Sequence, residues 1–483
     1  MDLPSDLIFS QAFIDGLWTD SATGATYPVT NPATGDVIAS VPDMGRVETA
    51  RAIDAAEKAR PAWAALTAKA RAATLRAWFD LVMAYQEDLA NIVTLECGKP
   101  LSEARGEVAY GASFIEWFGE EAKRLYGEVI PSPSDNSRIV TLRQPIGVSA
   151  AITPWNFPLA MITRKCAPAL AAGCPVVVKP PEDTPLTALA LAALAHKAGF
   201  PAGTFNVITA SKGVDVGLEL CENPAVRKLS FTGSTPVGKI LMRQCADTVT
   251  KVSLELGGNA PFIVFDDADI DAAVEGALAS KYRNAGQTCV CANRFLVQSG
   301  VYDEFAAKLA AAVADFKVGN GLDDGVTQGP LINAKGLAKV EELVDDALAH
   351  GAKALSGGAA HALGGTYYEP TILTDVTPDM RIANEEIFGP VAPLYRFETE
   401  EDAVRIANDT PYGLAGYFYS RDIGRVWRVA EALEYGILGI NEGIFSTEVA
   451  PFGGVKESGI GREGGKQGIE EYTEIKYLRI GGI

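Results

Sequence analysis

The chain has 483 residues, of which 48% are hydrophobic, and it carries a formal net charge of -19 at pH 7. This length predicts about three domains and a large buried core. The acidic surplus argues against a nucleic-acid interface and against binding to anionic membranes, but it leaves room for a locally basic pocket that takes a small anion.

Targeting and cysteine signals predict a cytoplasmic protein without a membrane or metal partner. The apolar stretch from Ala167 to Val178 is too short to span a bilayer, and the start MDLPSDL lacks the basic and apolar regions of a secretory signal. The seven cysteines are scattered and odd in number, which is typical of reduced intracellular thiols. Their spacing fits no zinc site.

The first part of the chain is predicted to be helical. Apolar residues recur at steps of three and four from about Val47 to Gly98, and a second helix is predicted over Glu103 to Leu125. The period then changes, and Gly127 to Ile130 and Arg138 to Gln144 are predicted as two strands around the turn-rich PSPSDN. This hairpin is either an oligomerisation arm or an ordinary surface hairpin.

From Ile146 onward strands and helices alternate, which predicts doubly wound, mostly parallel sheets in an α/β fold. A second alternating series begins at Pro261, with a helix over Ile270 to Arg283 that Asp269 caps. The predicted strands of the first series are Val148 to Thr153, Val176 to Lys179, Phe205 to Ile208, Lys228 to Phe231 and Val252 to Leu254.

Two segments are candidates for holding a phosphate and a ribose. In FTGSTPVG, a strand is followed by a turn at Gly233 and Ser234 and then by a helix, whose free N–H groups suit a phosphate. In VVVKPPED, Lys179 ends a strand and Glu182 follows it, so the pair can bind ribose hydroxyls at the carboxyl edge of a sheet. A plain strand–helix turn, a solvated lysine and a capping acid explain the same residues.

Three further residues make up a set for oxidising an aldehyde through a thiol. Cys289 lies in the polar turn GQTCVCANR, and no histidine lies in a motif-like context that would suit a partner for it. Glu255 in LELGGN is a candidate base, and Asn156 in TPWNFP is a candidate oxyanion donor together with the Cys289 N–H. Each is, taken singly, equally compatible with a structural role.

Seven motifs in order resemble those of the aldehyde dehydrogenase superfamily over essentially the whole chain. They are PWNFP, KPPEDTP, FTGST, LELGG, GQTC, EEIFGPV and PFGGVKESGIGRE. The resemblance implies two doubly wound α/β domains plus a small β arm. It places the NAD(P)-binding domain at residues 1–125 and 145–255, the catalytic domain at 256–460, and the oligomerisation arm at 126–144 and 461–483.

The resemblance also implies roles for individual residues. Cys289 would be the nucleophile, Glu255 the base and Asn156 the oxyanion donor. Family members are dimers or tetramers, so we expect a homodimer or homotetramer. The residues implied to hold the nicotinamide cofactor are Trp155, Lys179, Glu182, Gly233, Ser234, Leu256, Glu386 and Phe388.

Within the superfamily, NAGQTCVCANR, MITRKCAPAL and EVAPFGG are most similar to succinate-semialdehyde dehydrogenases. This likeness implies that Arg164, Arg283 and Ser446 bind the distal carboxylate of a small anionic aldehyde, although a structural ion pair is the alternative for each arginine. Glutarate semialdehyde, α-ketoglutarate semialdehyde and sulfolactaldehyde are alternative substrates. A catalytically silent binding protein on the same scaffold is the alternative from another class.

Two finer expectations concern the cofactor and a second thiol. Glu182 disfavours a 2′-phosphate on charge grounds, so NAD is expected, with NADP as the alternative. Cys291 is shared with relatives in which it bridges to the catalytic cysteine as a redox switch. A Cys289–Cys291 bond would need local backbone bending and be easily reduced, and an unpaired second thiol is the other interpretation.

Overall fold

The elements up to Pro145 are four short strands, four helices and a hairpin, and the computed structural model describes residues 7–483. The strands are β1 (Ala12–Ile14), β2 (Leu17–Thr19), β3 (Thr26–Thr30) and β4 (Val37–Pro42), and the helices are α1 (Arg46–Ala65), α2 (Ala68–Ala84), α3 (Gln86–Cys97) and α4 (Leu101–Glu121), with hairpin strands β5 (Val129–Ile130) and β6 (Ser137–Pro145).

The middle of the chain alternates strictly between strand and helix, as the sequence predicts. Its elements are β7 (Val148–Ile152), α5 (Ala160–Ala172), β8 (Val176–Lys179), α6 (Leu186–Lys197), β9 (Phe205–Val207), α7 (Gly213–Glu222), β10 (Val226–Thr232), α8 (Thr235–Cys245) and β11 (Lys251–Glu255).

A second alternating series completes the chain, and its last strands return to the earlier parts. Its elements are β12 (Ala260–Val264), α9 (Ile270–Lys281), β13 (Ala292–Gln298), α10 (Tyr302–Val313), α11 (Ala334–Ala349), β14 (Lys353–Ser356), β15 (Thr371–Thr374), α12 (Arg381–Asn384), β16 (Val391–Phe397), α13 (Glu400–Asn408), β17 (Ala415–Tyr419), α14 (Ile423–Ala432), β18 (Ile437–Ile440), β19 (Gly459–Ile460), α15 (Gln467–Glu470) and β20 (Thr473–Gly481).

Two mostly parallel sheets confirm the predicted α/β fold. The first has the order β19-β11-β10-β7-β8-β9-β1-β2, and the second has the order β14-β15-β16-β13-β12-β17-β18. In the first sheet the strand order reverses at β7, which lies between β8 and β10, and such a switch point opens a crevice at the carboxyl ends of the strands.

A separate three-stranded sheet is formed by the hairpin and the C-terminal strand. Strand β20 pairs with β6 from Thr473 opposite Pro145 to Gly481 opposite Ser137, and β5 covers the other side of β6. The predicted hairpin strands and the C-terminal strand therefore share one sheet. Gly459–Ile460, which the predicted division places with the catalytic region, pairs with β11 of the first sheet.

Helix α5 is buried along its whole length, and this determines where its charges must go. All 13 of its residues are buried, including Arg164 and Lys165. A buried cation is costly unless it is paired. Both side chains donate to the carboxylate of Glu463, which lies in the last part of the chain. These bonds hold that segment against the helix.

The helical pattern of residues 47–98 is divided into three helices. The backbone is extended at Leu66 and Thr67, and the Thr67 side chain accepts a hydrogen bond from Ala70 N at 3.2 Å, which starts α2 as a new helix. The helix predicted to reach Leu125 ends earlier, at Glu121, and strand β5 starts at Val129 rather than Gly127. Strands β1 to β4 were not predicted because their runs of three to six residues are too short to show a period.

Within residues 7–483, no helix combines the length and the apolar character that crossing a bilayer requires.

Glu96 offers a test of the packing of α3 against α6. Its buried carboxylate accepts from Leu186 N at 2.7 Å, from Thr187 N at 2.9 Å and from the Thr187 hydroxyl, so it caps the start of α6 from a distant helix. Glu96→Ala leaves these donors unsatisfied in the core and is expected to destabilise the fold by about 2 to 4 kcal/mol. Calorimetry is expected to show a lower Tm, and an unchanged Tm would contradict this interpretation.

Candidate active site

The site begins at the carboxyl edge of the first sheet. Strands β7, β10 and β11 run parallel and end at the same edge, beside the switch point. Strand β7 leads into the loop with Asn156, β10 leads into the turn at Gly233 and Ser234, and β11 ends at Glu255. Three segments far apart in sequence therefore lie at one edge because the strands are parallel.

The Cys289 loop connects α9 to β13 of the second sheet. Asn284 and Ala285 have left-handed backbone conformations, with φ of 52° and 53°, which is unusual for alanine and stores backbone strain. Gly258 lies so close to this loop that an added Cβ would be 2.6 Å from the Cys289 carbonyl oxygen. A glycine is therefore required where the two sheets meet at the thiol.

The surroundings of Cys289 favour the protonated form of its thiol. The residue is partly exposed where it lines the two cavities, but the surrounding protein atoms desolvate the thiol. This burial raises the pKa of Cys289 to about 12, against the opposite effect of the Arg164 guanidinium. A base must therefore accept the thiol proton before the sulfur can act as a nucleophile.

Glu255 is a carboxyl group with no partner. It is 2% exposed, and neither of its oxygens has a hydrogen-bond partner within residues 7–483. Burial, followed by the negative charge of Glu463, raises its pKa well above the ordinary value, although Arg164 and Lys165 act in the opposite direction. Such a group is suited to accepting a proton near neutral pH.

Asn156 is anchored so that part of its side-chain amide stays available. Its side-chain Nδ2 donates to the backbone carbonyl of Gln287 at 2.9 Å. Its backbone carbonyl accepts from Lys99 Nζ at 2.7 Å and from Asn284 Nδ2 at 3.0 Å. Because an amide nitrogen carries two hydrogens, one N–H of Asn156 remains for another acceptor. Asn156 and Cys289 line the same cavity, so that acceptor can be an oxyanion formed at the thiol.

Two cavities meet at Cys289. The larger has a volume of about 690 Å³, and seven of the eight predicted cofactor residues line it, namely Trp155, Glu182, Gly233, Ser234, Leu256, Glu386 and Phe388. The smaller has a volume of about 280 Å³, and all three predicted anion-binding residues line it, namely Arg164, Arg283 and Ser446. The thiol therefore lies between a large cleft and a small cationic pocket.

The walls of the larger cavity suit a dinucleotide. No side chain caps the start of α8 after Ser234, so its N–H groups are free for a phosphate. Phe388 is held in a left-handed conformation at φ 55°, and its ring meets that of Trp155 edge-to-face at 5.5 Å. Glu386 accepts from Gly258 N at 3.1 Å, and burial raises its pKa to about 7.

Lys179 is the predicted cofactor residue that lies behind this wall. It is 5% exposed, and its Nζ is 3.3 Å from Glu182 Oε2. Glu182 itself lines the cavity and has an exposed side chain. Lys179 therefore acts on the cleft indirectly, because its ammonium partly neutralises the Glu182 carboxylate that lines it.

The smaller cavity offers buried guanidinium donors. Arg164 Nε donates to Glu463 at 2.6 Å, so this nitrogen forms the structural ion pair that the sequence left as an alternative. The Nη2 of the same guanidinium is buried without a partner among the described residues. Arg283 Nε is likewise buried and unpaired in this part of the chain. Buried donors of this kind are normally satisfied, so these two are suited to an anionic ligand.

Several residues of the smaller cavity have no signal in the sequence. Charged side chains of α4 and of the segment before it form part of its wall, together with apolar side chains from other parts of the chain, and Glu463 bonds to Arg164 of that wall. Lys99 lies in the short segment between α3 and α4 and Glu107 lies on an ordinary helix, so neither stands in a recognisable motif. The additional wall residues are Lys99, Glu103, Glu107, Tyr110, Phe157, Met161, Ile444 and Phe452.

Cys291 lies just behind the thiol loop. It is buried, its Sγ donates to the Lys281 carbonyl at 2.9 Å, and burial raises its pKa. Both Cys289 and Cys291 are free thiols in the described structure.

The raised pKa of Cys289 predicts how the thiol is alkylated. Since only the thiolate reacts, the rate of Cys289 alkylation by iodoacetamide in the cofactor-free enzyme should rise about tenfold per pH unit between pH 7 and 9. Mass spectrometry of the Cys289 peptide measures this rate. A rate that levels off near pH 7 would contradict the predicted direction.

Comparison with known proteins shows which family the chain belongs to. The aldehyde dehydrogenase family model matches residues 18–478. The chain is 64% identical to a glutarate-semialdehyde dehydrogenase of Pseudomonas aeruginosa, covering 99% of each chain, and 63% identical to the succinate-semialdehyde dehydrogenase [NADP(+)] GabD of Escherichia coli, also over 99% of each. A crystal structure of succinate-semialdehyde dehydrogenase from Burkholderia pseudomallei superimposes with a TM-score of 0.98 at 62% identity, covering 100% of this chain and 99% of that one.

The resemblance predicted from the seven motifs is thus confirmed over nearly the full length, and so is the predicted fold. The chain belongs to the aldehyde dehydrogenase family and is an NAD(P)-dependent oxidoreductase.

Proposed function

We propose that the enzyme oxidises a short semialdehyde with a distal anion, first of all succinate semialdehyde to succinate. The observation that carries this proposal is the small cavity that Cys289 lines together with two arginines, Arg164 and Arg283, each of which has a buried guanidinium N–H donor without a partner among the described residues. Glutarate semialdehyde, α-ketoglutarate semialdehyde and sulfolactaldehyde share the same anionic end and are the alternative substrates. The names of the relatives, which include glutarate- and succinate-semialdehyde dehydrogenases, support the class of substrate rather than one member.

Cys289 is the proposed nucleophile, and its attack needs two kinds of help. Glu255, as its carboxylate, takes the thiol proton, directly or through water, and the sulfur then bonds to the aldehyde carbon to give a thiohemiacetal. The negative charge on the aldehyde oxygen is stabilised by the free N–H of Asn156 and by the Cys289 backbone N–H. These donors are already fixed before substrate arrives, so little reorganisation is required.

The larger cavity is proposed to hold the nicotinamide cofactor, which accepts the hydride when it is bound. The start of α8 at Gly233 and Ser234 would bind the pyrophosphate, Glu386 the nicotinamide ribose, and Lys179 with Glu182 the adenosine ribose. Trp155, Leu256 and Phe388 supply the apolar walls of the cleft. The thiol lies where the two cavities meet, so substrate and cofactor reach it from different sides.

Glu255 has a second proposed task in releasing the product. After it has released the thiol proton to solvent, it takes a proton from a water molecule, the water oxygen bonds to the acyl carbon, and the carbon–sulfur bond breaks to leave the acid and the Cys289 thiolate. A carboxylate without a partner can do this because none of its lone pairs is already used. The presence of this base argues against transfer of the acyl group to coenzyme A, and the assembled site argues against a catalytically silent protein.

We propose NAD as the preferred cofactor, with NADP as the alternative. The carboxylate of Glu182 lines the cleft and would repel a 2′-phosphate. Its ion pair with Lys179 weakens that repulsion, and the Escherichia coli relative carries NADP(+) in its name. The balance between these two effects sets the cofactor ratio.

A homodimer or homotetramer is proposed from the surface of the small sheet. Residues Val129 and Leu142 and, on the paired strand, Ile475 and Tyr477 are exposed apolar side chains. An exposed apolar patch of this kind supports an interface with another subunit.

We further propose that Cys291 protects Cys289 by forming a disulfide with it under oxidation. The two thiols lose two hydrogens to peroxide, which is reduced to two water molecules. A peroxide-treated wild-type enzyme would lose activity and regain it with a thiol reductant, whereas Cys291→Ala would be inactivated beyond rescue, because its lone Cys289 is oxidised further. Cys221→Ala, which removes a remote buried thiol, is the control. Equal, thiol-reversible inactivation of wild type and Cys291→Ala would count against the switch.

The anion pocket is tested by Arg283→Ala. Loss of charged donors should lower kcat/KM for succinate semialdehyde about 10- to 100-fold, but leave butanal within about threefold of wild type. Production of NADH or NADPH followed at 340 nm gives both values. An equal loss for charged and neutral aldehydes would mean that Arg283 does not bind the substrate's anion.

Glu182→Gln tests the cofactor proposal at constant side-chain size. Removing the charge should raise the ratio of kcat/KM with NADP to that with NAD by about tenfold, since close like charges are strongly unfavourable. The ratio is measured with one aldehyde at saturation. If it is unchanged, Glu182 does not select the cofactor.

A further inference from the structure

A buried ion pair beside the substrate cavity has no role in the chemistry described so far. Lys99, between α3 and α4, pairs with Glu107 of α4 at 2.5 Å, and both side chains are 1% exposed. The two residues are part of the wall of the small cavity. Burying two charges is costly, so such a pair is retained only with good geometry and further hydrogen bonds.

All of those further hydrogen bonds go to one segment of the chain. Lys99 Nζ donates to the Asn156 carbonyl at 2.7 Å and lies 3.9 Å from the centre of the Phe157 ring. Glu107 accepts from Leu159 N at 2.9 Å and from Ala160 N at 3.3 Å. The pair therefore holds the chain from the proposed oxyanion donor to the first turn of α5.

The same carbonyl is also bound from the opposite side. Asn284 Nδ2, in the strained turn before Cys289, donates to the Asn156 oxygen at 3.0 Å. The Asn156 side chain in turn donates to Gln287 of that loop at 2.9 Å. Lys99 thus completes a set of bonds that fixes Asn156 relative to the thiol loop, and its ammonium is engaged in these contacts rather than free to bind the substrate.

Glu96 provides an internal comparison within the same fold. It is also a fully buried glutamate that caps a distant helix, through Leu186 N at 2.7 Å and Thr187 N at 2.9 Å of α6. It lines neither of the two cavities at Cys289, and no lysine forms a salt bridge with it in the described residues. A purely structural cap therefore does not require the lysine that accompanies Glu107.

We propose that Lys99 and Glu107 form a positioning pair, which holds the Asn156 amide at the place where the oxyanion forms. This inference rests on the proposed role of Asn156 as oxyanion donor. Donors to a developing charge must be placed within a fraction of an ångström, so a shift of the Asn156 backbone weakens transition-state stabilisation more than substrate binding.

The test is a double-mutant cycle between the pair and Asn156. Removing an oxyanion donor costs about 100- to 1000-fold in kcat, which is the result expected for Asn156→Ala. Lys99→Met and Glu107→Gln should each lower kcat about 10- to 100-fold and change KM less than about threefold. In the Asn156→Ala background the same changes should lower kcat less than about threefold, because the donor that they position is already gone.

Two variants serve as controls, and one of the two test variants covers the case in which the other does not fold. Lys99→Arg keeps a cation at the site and should recover part of the loss in kcat. Glu96→Gln should lower Tm without changing kcat, which separates a lost helix cap from a lost positioning contact. Glu107→Gln keeps the side-chain volume and one carbonyl acceptor for α5, so it carries the test if Lys99→Met does not fold.

The possible outcomes separate this inference from the proposed function. If Asn156→Ala keeps wild-type kcat, the oxyanion role itself is wrong, and the positioning role falls with it. If Asn156→Ala is impaired but Glu107→Gln costs the same factor in both backgrounds, the pair is only structural and the proposed chemistry stands. A loss that appears in KM alone would also overturn the positioning role.

Discussion

The double ion pair of Glu463 is the interaction on which the site depends. Helix α5 is buried on every side and carries Arg164 and Lys165 into the interior. Glu463 bonds to both, and these cations hold its pKa at about 2 although burial acts in the opposite direction. Both cations form their ion pair with Glu463, and neither forms one with Glu255.

The consequence is that Glu255, the proposed base, is buried, unpaired among the described residues and difficult to ionise. Had Arg164 paired with Glu255 instead, the carboxylate would have a low pKa and no free lone pair for water. In the observed arrangement the remaining Nη2 of Arg164 faces no protein partner among residues 7–483, and the residue lines the substrate cavity. One carboxylate near the end of the chain therefore shapes both the proposed base and part of the proposed anion pocket.

The sequence predicts those parts of the site that follow directly from strands. Asn156, Gly233 and Glu255 each come after or end a short apolar strand, and parallel strands bring such positions to one edge. The α/β alternation and the position of the hairpin could be predicted because both follow from the local spacing of apolar and turn residues. Cys289 could be recognised as a candidate nucleophile because it stands in a polar turn, where a cysteine that fills the core is not expected.

Other parts could not be predicted because they depend on contacts between distant segments. Glu463 approaches Arg164 across 299 residues, and Lys99 reaches the Asn156 carbonyl across 57. The local sequence around these residues indicates neither contact. The left-handed turn at Asn284 is likewise a product of tertiary packing, since the residue after it is an alanine, which does not favour that conformation.

The central claim is that the unpaired Glu255 carboxyl releases the product by activating water. Glu255→Gln removes the base without changing the shape of its site, and rapid mixing with NAD and succinate semialdehyde measures NADH formation together with the mass of the Cys289 peptide. The account predicts that the variant forms at most one equivalent of NADH per active site, that any acyl group so formed stays on Cys289, and that steady-state turnover is lost. Steady-state turnover at the wild-type rate, with no acyl group retained on Cys289, would contradict it.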